Sequence, residues 1–436
     1  MKESRDRVQQ FLKQHRAGRD DVDMGELCDA FHGEMLRGLA GQDSSLAMIP
    51  TYIEAGGDVP ANELVIVLDA GGTNFRVATV HFDGSGKAAV ENLTQKPMPG
   101  LERETAKDEF FATIVEYMAD VAKASDRIGF CFSYPTEILP SKDGRLVRFC
   151  KEVKAKEVEG ELIGKNLLDA MARAGHTGHR AVVILNDTVA TLLAGVSVSR
   201  ETLFDGYIGF ILGTGSNCCY AESNRNITKV SGLDGAAEQI VNVESGAFAG
   251  APRGTIDIQL DESTLDPSQY TFEKMFSGAY LGPLCLKALQ EGAQTGLLSK
   301  AAAEKMLAVE GLKTRDVNDF LRSPRGRSAL TKVCTAGIEQ DRTVVWYVLD
   351  GLIERAAKLV AALLASVVLK TDKGKNPCEP VCITAEGTTF YELKSLKTRI
   401  ECYLRSFLQE KHGRYFEIVK VDNATLIGAA IAGLTN

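Results

Sequence analysis

The stretch LVIVLDAGGTNFRVATV, Leu64 to Val80, is the part of the sequence that decides the fold. Its first five residues form a continuous apolar run that predicts a buried β-strand, and the alternation from Phe75 onward predicts a second strand. Gly71 and Gly72 lie between the two runs, where a tight turn needs residues without side chains. The pattern therefore predicts a β-hairpin whose glycine turn lies at the edge of a sheet.

The same pattern occurs again in the second half of the chain, as YIGFILGTGSNCCYA, Tyr207 to Ala221. Two units of strand, glycine-threonine turn and strand, one in each half, predict a duplicated core. Glycine lets the backbone approach an anion closely, and two such turns could hold one phosphate chain from both sides. A single turn of this kind is as often purely conformational, so the functional interpretation depends on the second turn.

Length and composition exclude several classes of protein. A chain of 436 residues is larger than one hydrophobic core usually supports, which predicts two or three lobes with a cleft between them. A net charge of -8 argues against a dedicated nucleic-acid surface. The ten cysteines are scattered without the spacing of a metal finger, and no apolar run reaches the roughly 18 residues that span a membrane. We expect a cytoplasmic protein with reduced thiols and no membrane or nucleic-acid partner.

Two carboxylates are predicted to face the cleft from the ends of buried strands. Asp69 ends the first apolar run, and Asp187 follows the run Ala181–Leu185. Phosphoryl transfer needs one group that binds Mg²⁺, directly or through water, and one that accepts the proton of the nucleophile. The alternative for Asp187 is that it only caps a helix that begins at Val189.

Four polar side chains next to predicted turns or strand ends are candidates for pairing with the hydroxyl groups of a sugar. They are Asn186, Asn217, Glu244 and Glu273. For either glutamate taken alone, a solvated surface position is the simpler interpretation.

These motifs together resemble the eukaryotic-type hexokinase and glucokinase family, within the actin and heat-shock ATPase superfamily. Their number and order along nearly the whole chain make the resemblance specific. The matching segments are MIPTY (48–52), LDAGGTNFRV (68–77), FSYP (132–135), ILNDTVATL (184–192), GFILGTGSNCCYAE (209–222), VNVESGAF (241–248) and FEKMFSGAYLG (272–282).

The resemblance implies a role for each matching residue. Asp187 would be the general base, and Lys151 would lie near the transferring phosphoryl group. The hexose would be bound by Ser133, Cys150, Lys151, Asn186, Asp187, Asn217, Glu244 and Glu273. Mg-ATP would be bound by Asp69, Gly71, Gly72, Thr73, Asn74, Arg76, Gly213 and Thr214, with adenosine near Gly387 and Thr388 and Mg²⁺ held through water by Asp69 and Asp187.

The chain departs from the family pattern at five positions. Cys150 stands where the family usually has threonine, which replaces a hydroxyl partner of the sugar with a weak thiol donor. Tyr134 replaces phenylalanine, and Ser245 replaces the tryptophan after the first glutamate, which predicts a roomier cleft near Glu244. The adenosine segment has Glu386 in place of aspartate and an extra Thr389.

The resemblance implies an α/β protein with the two-lobed actin-like ATPase (ribonuclease H-like) fold. We predict a small domain of residues 61–189 and 420–436, and a large domain of residues 1–60 and 190–419. The implied activity is ATP-dependent phosphorylation of a hexose, with glucose the first expectation, at its 6-hydroxyl. A non-catalytic sugar sensor, a chaperone-like or filament ATPase and a kinase for another polyol or N-acetylated sugar stay open as alternatives, as does the choice between monomer and homodimer.

Overall fold

The computed structural model describes residues 2–149, 153–197 and 203–436. The strands in these ranges are β1 (Ile49–Pro50), β2 (Val65–Gly71), β3 (Asn74–Phe82), β4 (Ala88–Pro97), β5 (Arg127–Phe132), β6 (Thr136–Ile138), β7 (Gly144–Leu146), β8 (Ala181–Leu185), β9 (Gly206–Leu212), β10 (Ser216–Ser223), β11 (Glu238–Asn242), β12 (Val381–Glu386) and β13 (Phe416–Val419).

The α-helices in the same ranges are α1 (Lys2–Gln14), α2 (Met24–Leu39), α3 (Lys107–Tyr117), α4 (Ile163–Arg173), α5 (Asp187–Ser197), α6 (Thr255–Glu262), α7 (Leu281–Gln294), α8 (Lys300–Leu307), α9 (Thr314–Arg322), α10 (Ala329–Ala336), α11 (Glu339–Thr371), α12 (Thr388–Glu392), α13 (Leu396–Leu404) and α14 (Ala424–Thr435). A π-helix, Arg405–Lys411, continues from α13.

Two mixed sheets of similar topology form the core. The first has the order β4-β3-β2-β5-β8, and the second has the order β1-β11-β10-β9-β12-β13. In each sheet a hairpin that carries a glycine turn, β2–β3 or β9–β10, is antiparallel, and the next two strands along the sheet are parallel to the first strand of the hairpin. The duplicated core predicted from the two glycine-threonine motifs is confirmed.

The parallel strands of both sheets are nearly continuous apolar runs because helices cover both of their faces. Every residue of Val65–Ala70 is buried, and so is every residue of Val381–Ala385. Polar residues therefore appear where these strands end, and the ends of parallel strands lie at one edge of each sheet. This is the physical reason that the polar motifs of the sequence are brought together.

Two helices cross between the sheets. Helix α5 follows β8 of the first sheet but packs against β9 and β12 of the second, while α14 follows β13 of the second sheet and packs against β2 and β5 of the first. The two helices also pack against each other, and Gly428 of α14 lies directly against the backbone of Ala190 in α5. Residues near the start of α5 are thereby placed between the two sheets.

Apolar residues at helical spacing over Tyr347–Val368 are typical of a long helix, and the helix that contains them, α11, extends from Glu339 to Thr371. The domain boundaries proposed from the sequence stay a prediction. Cys150 and Lys151 lie outside the described residues.

The contact between α5 and α14 makes a prediction about stability. A Cβ atom at Gly428 would lie 1.8 Å from the carbonyl oxygen of Ala190, so Gly428→Ala should lower the free energy of unfolding by about 2–3 kcal/mol. Gly33, inside α2, is the matched control, because a Cβ there meets only the end of the Arg37 side chain at 3.6 Å. Gly33→Ala should leave stability unchanged or raise it by up to about 1 kcal/mol. Urea unfolding followed by circular dichroism measures both, and equal midpoints for the two variants would contradict the packing argument.

Candidate active site

The carboxylate of Asp187 lies where β8 ends and α5 begins. Helix α5 starts at Asp187 itself, and Oδ1 of Asn186 accepts the Thr188 amide at 2.9 Å and also the Thr188 hydroxyl. Asn186 therefore has the position and the hydrogen bond of a helix cap. The alternative that Asp187 merely caps a helix beginning at Val189 is wrong for this reason.

Asp187 is held in surroundings that favour its protonated form. Burial, together with the nearby charges of Asp69 and Glu244, raises the pKa of Asp187 to about 6. The Thr188 amide, which donates to Oδ1 at 2.8 Å, and the Ser133 hydroxyl act in the opposite direction by stabilising the ionised form. A carboxylate with a pKa close to neutrality suits a general base.

Asp69 lies at the same edge of the first sheet, near the end of β2, and is buried. Its Oδ2 accepts hydrogen bonds from Arg76 Nε at 2.9 Å, from Arg76 Nη2 and from the Thr425 hydroxyl at 3.0 Å. A Cβ atom placed on Gly71 would lie 4.0 Å from Asp69 Oδ1 and 3.8 Å from Ser133 Oγ. The first glycine turn, Asp69 and Ser133 are therefore neighbours.

Two further acids lie across from Asp187, on the side of the second sheet. Burial raises the pKa of Glu244, and it raises the pKa of Glu273 to about 7, with the charge of Glu244 adding to the effect on Glu273. The charge of Glu244 thus acts on both Asp187 and Glu273. Neither glutamate is the solvated surface residue that each would be if taken alone.

Glu244 is bound by two asparagine side chains. Its Oε1 accepts Asn242 Nδ2 at 2.8 Å and Asn217 Nδ2 at 3.2 Å, and Asn217 Nδ2 also lies 2.8 Å from Asn242 Oδ1. Asn217 Nδ2 also lies 3.2 Å from the Thr188 hydroxyl, in the helix that follows β8 of the first sheet. Asn242 was missed in the sequence, where it reads as the last residue of a strand. Its position two residues before Glu244, in the segment VNVESGAF, was the available signal.

The carboxylate of Glu273 lies directly against the backbone of the second glycine turn. Glu273 Oε2 accepts the amide of Ser216 at 3.0 Å. A Cβ atom on Gly215 would lie 2.9 Å from the same oxygen, and one on Gly246 would lie 3.0 Å from it. Glycine at both positions is thus what allows this carboxylate to approach the backbone.

The remaining part of the second turn is held by the backbone at Gly278 and by the start of α12. The carbonyl of Gly213 accepts the Gly278 amide at 2.9 Å and the Thr389 hydroxyl at 2.8 Å. The extra Thr389 therefore has a structural partner. Gly387, at φ +117°, lies against Leu212 and Gly213, and Thr388 is exposed beside it, so the adenosine segment predicted from the sequence adjoins the second turn.

The first turn is exposed. Gly72, at φ +61°, has no atom within 4 Å of the position that a Cβ would take, and Thr73 and Asn74 are also exposed. The Tyr134 hydroxyl donates to the Gly72 carbonyl at 2.8 Å. The tyrosine that departs from the family pattern thus supplies a hydrogen bond that phenylalanine could not make.

A cavity of about 340 Å³ lies between the two sides of the site. Its polar lining includes Asn186, Asn242 and Glu244. Ser245 is fully buried, and the wall next to Glu244 is formed by Ala247 and Tyr270. The other lining residues are Ala47, Ile49, Thr51, Phe132, Tyr134, Pro135, Thr136, Glu137, Ile138 and Val147. The volume suits a small molecule.

Comparison with known families decides which proteins this chain is related to. A family model described as hexokinase matches residues 207–435, and a second hexokinase model matches residues 7–197. The chain belongs to the hexokinase family. Both halves of the duplicated core lie within the two matched regions.

Individual hexokinases show how far the similarity extends. The chain is 31% identical over 374 residues to Hexokinase-3 of Mus musculus, which covers 82% of this chain but only 40% of that protein. It is 28% identical over 425 residues to Hexokinase-1 of Schizosaccharomyces pombe, covering 92% of this chain and 85% of the yeast protein. The solved hexokinase from Schistosoma mansoni complexed with glucose matches with a TM-score of 0.78 over 99% of both chains at 24% identity, which shows a common fold. The predicted two-lobed actin-like fold is confirmed.

Within the described residues, no helix of this hexokinase family member is both long and apolar enough to cross a membrane. The roles assigned to individual site residues stay proposals.

The raised pKa of Asp187 predicts a pH-dependent effect on stability. Its pKa of about 6 lies above the ordinary 3.8, so the folded state holds the proton more tightly, and the free energy of unfolding falls as the pH rises from 3.8 to 6 and stays low above 6. Asp187→Asn should therefore raise the free energy of unfolding by about 1–3 kcal/mol at pH 8. The gain should shrink as the pH falls from 6 toward 4.

Thermal unfolding without nucleotide or metal, at pH 8 and pH 5, measures this effect. Asp169 is the matched control, because its hydrogen bond with Lys165 lowers the pKa of this exposed carboxylate. Asp169→Asn should not gain stability at either pH. A lower melting temperature for Asp187→Asn than for the unmodified protein at pH 8 would show that the buried carboxylate is not destabilising.

Proposed function

We propose that the protein is an ATP-dependent hexose kinase that transfers the γ-phosphoryl group to the 6-hydroxyl of a hexose, with glucose the first candidate. The observation that carries the proposal is the position of Asp187. Its carboxylate lies at the end of β8, between the first glycine turn and the Asn217–Asn242–Glu244 group. Membership of the hexokinase family supports the reaction class, and the glucose in the Schistosoma mansoni structure supports the choice of sugar.

Asp187 accepts the proton of the 6-hydroxyl as the oxygen attacks phosphorus. Its pKa of about 6 means that it is mostly ionised at neutral pH and still basic enough to take a proton. The Thr188 amide donates to the carboxylate and fixes its orientation, and the nearby Ser133 hydroxyl stabilises the ionised form. Positioning of this kind accounts for much of the catalysis in phosphoryl transfer.

The hexose hydroxyls are bound by Ser133, Asn186, Asn217, Glu244 and Glu273. The glutamates, both partly buried, form charge-assisted hydrogen bonds that neutral groups would not match. Cys150 and Lys151, which lie outside the described residues, complete the proposed set, and the Lys151 ammonium offsets charge on the transferring phosphoryl group.

The phosphates of ATP are held by the two turns, through Gly71, Gly72, Thr73 and Asn74 in the first and Gly213 and Thr214 in the second. Asp69 and Arg76 adjoin the first turn, and adenosine lies near Gly387 and Thr388. Mg²⁺, when bound, neutralises the phosphate oxygens. Among the described residues no group of three or more His, Cys, Asp or Glu could hold a metal. Two carboxylates that act through water, Asp69 and Asp187, fit a cation such as Mg²⁺, which keeps several of its waters and binds phosphate oxygens.

The base assignment predicts a separation of binding from turnover. The unmodified protein should release ADP from Mg-ATP only when a hexose is present. Asp187→Ala should lower turnover by a factor of roughly 10² or more, because the hydroxyl loses its proton acceptor, while hexose affinity changes by less than about tenfold. A coupled assay with glucose, fructose, mannose and N-acetylglucosamine measures turnover, and calorimetry measures affinity.

Near-normal turnover in Asp187→Ala would remove Asp187 from the base role. Hexose binding by the unmodified protein with no ADP release would identify a sugar sensor. ADP release that no sugar stimulates would identify an ATPase of the superfamily instead.

The sugar-binding assignment predicts an effect on the Michaelis constant. Glu244→Gln and Glu273→Gln should each raise the KM for hexose by about tenfold or more, because an amide replaces a charged acceptor. Glu238, exposed at the opposite end of β11, provides the control, and Glu238→Gln should leave KM unchanged. Steady-state kinetics at saturating ATP checks all three variants. An unchanged KM in both site variants would refute the assignment.

A further inference from the structure

Asn242 has a place in the site that the proposed reaction does not yet use. It is the last residue of β11, it is 5% exposed, and it lines the cavity beside Glu244. Both ends of its amide are bonded within the site: Nδ2 donates to Glu244 Oε1 at 2.8 Å, and Oδ1 accepts Asn217 Nδ2 at 2.8 Å. An amide is the side chain that can donate to one neighbour and accept from another in this way.

The hydrogen bonds on Glu244 are unequally divided between its two oxygens. Asn242 and Asn217 both donate to Oε1. Within the described part of the chain, Oε2 accepts no hydrogen bond. The arrangement fixes one oxygen in the protein and leaves the other for a ligand.

The backbone at Glu244 also needs external support. Its φ of +58° lies in the left-handed region, which is unfavourable for a residue with a Cβ atom. Such a conformation persists when surrounding contacts hold it. The Asn242 amide, two residues earlier, supplies the shorter of the two bonds that hold the Glu244 side chain.

We propose that Asn242 is a positioning residue for hexose binding, which holds Glu244 by Oε1 so that Oε2 faces the sugar. The inference rests on the proposed function, because it takes Glu244 as a hexose ligand. It predicts that loss of the Asn242 donor weakens sugar binding through Glu244 and has little effect on the phosphoryl-transfer step.

The electrostatic surroundings of Glu244 make an amide at position 242 important. Among the described residues, the titratable groups whose pKa responds to the charge of Glu244 are Asp187, Glu273, the Tyr270 hydroxyl and the Cys218 thiol, all of them acids. Burial raises the pKa of Glu244, and the hydrogen bonds from Asn242 and then Asn217 oppose that rise. A carboxylate at position 242 would replace a donor with another negative charge.

Asn242→Asp tests the proposal because it changes the donor with almost no change of shape. At pH 8 the KM for glucose should rise by about tenfold to a hundredfold, while kcat stays within about threefold. Lowering the pH toward 6 should reduce the effect, because a proton shared between the introduced carboxylate and that of Glu244 restores the hydrogen bond. Asn242→Ala should raise KM at every pH, and it provides the test if the aspartate variant does not fold.

Two comparisons separate positioning from a general structural role. In a Glu244→Gln background, Asn242→Asp should cause little further rise in KM and should lose its pH dependence, because the amide introduced at position 244 can donate to the new carboxylate. Asn224→Asp is the control, since Asn224, although only half-buried, is like Asn242 hydrogen-bonded through both ends of its amide, to the Asp234 carbonyl and the Gln239 amide. It should leave KM and its pH profile unchanged.

The outcomes distinguish this inference from the proposed function. If the unmodified protein and Asn224→Asp phosphorylate glucose but the Asn242 variants keep a normal KM, the positioning role is overturned and the kinase proposal stands. Equal effects of Asn242→Asp with and without Glu244→Gln would also overturn it. If the unmodified protein does not phosphorylate any hexose, both proposals fail.

Discussion

The site depends on one constraint: the first turns of α5 are packed directly against the backbone of β9 on one side and of α14 on the other. A Cβ atom at Gly209 of β9 would lie 2.2 Å from the carbonyl oxygen of Thr188, and one at Gly428 of α14 would lie 1.8 Å from that of Ala190. Because these are contacts between main chains, no rotamer change can relieve them. The start of α5 is thus fixed against both sheets at once, and Asp187, its first residue, is fixed with it.

Fixing Asp187 between the sheets has an electrostatic cost that the surrounding donors partly offset. Burial is the largest cause of the raised pKa at Asp187, Glu244 and Glu273, and the charge of Glu244 raises the pKa of Asp187 and of Glu273 further. Asparagines, backbone amides and a serine hydroxyl point at the same carboxylates and favour their ionised forms. An arrangement optimised only for stability would not place these acids together. Their clustering is what a site that binds a polyhydroxylated ligand and removes a proton requires.

The sequence predicted the parts of the site that come from strand ends, because a polar residue after a buried strand is visible in the local pattern. Asp187, Ser133 and Asp69 are of this kind. Asn242 was not recognised, because its role depends on the antiparallel register that pairs it with Cys219, next to Asn217. Register between strands, and the exchange of α5 and α14 between the sheets, come from contacts distant in sequence, which local periodicity does not encode. The same applies to Glu273, whose approach to Ser216 depends on Gly215 and Gly246.

Thr188 connects the two proposed functions of the site, sugar binding and proton transfer. Its amide donates to Asp187 Oδ1, its hydroxyl lies 3.2 Å from Asn217 Nδ2, and its carbonyl accepts the Cys219 thiol at 3.1 Å. Each bond is modest in energy, but all three constrain one residue on a helix that cannot shift. A hexose that binds to Asn217 and Glu244 therefore contacts a hydrogen-bond network that also includes Asp187, the proposed base. Under the proposed function, sugar binding and proton transfer therefore meet at Thr188, whereas Asn242 holds Glu244 and Asn217 and has no hydrogen bond to Thr188 or Asp187.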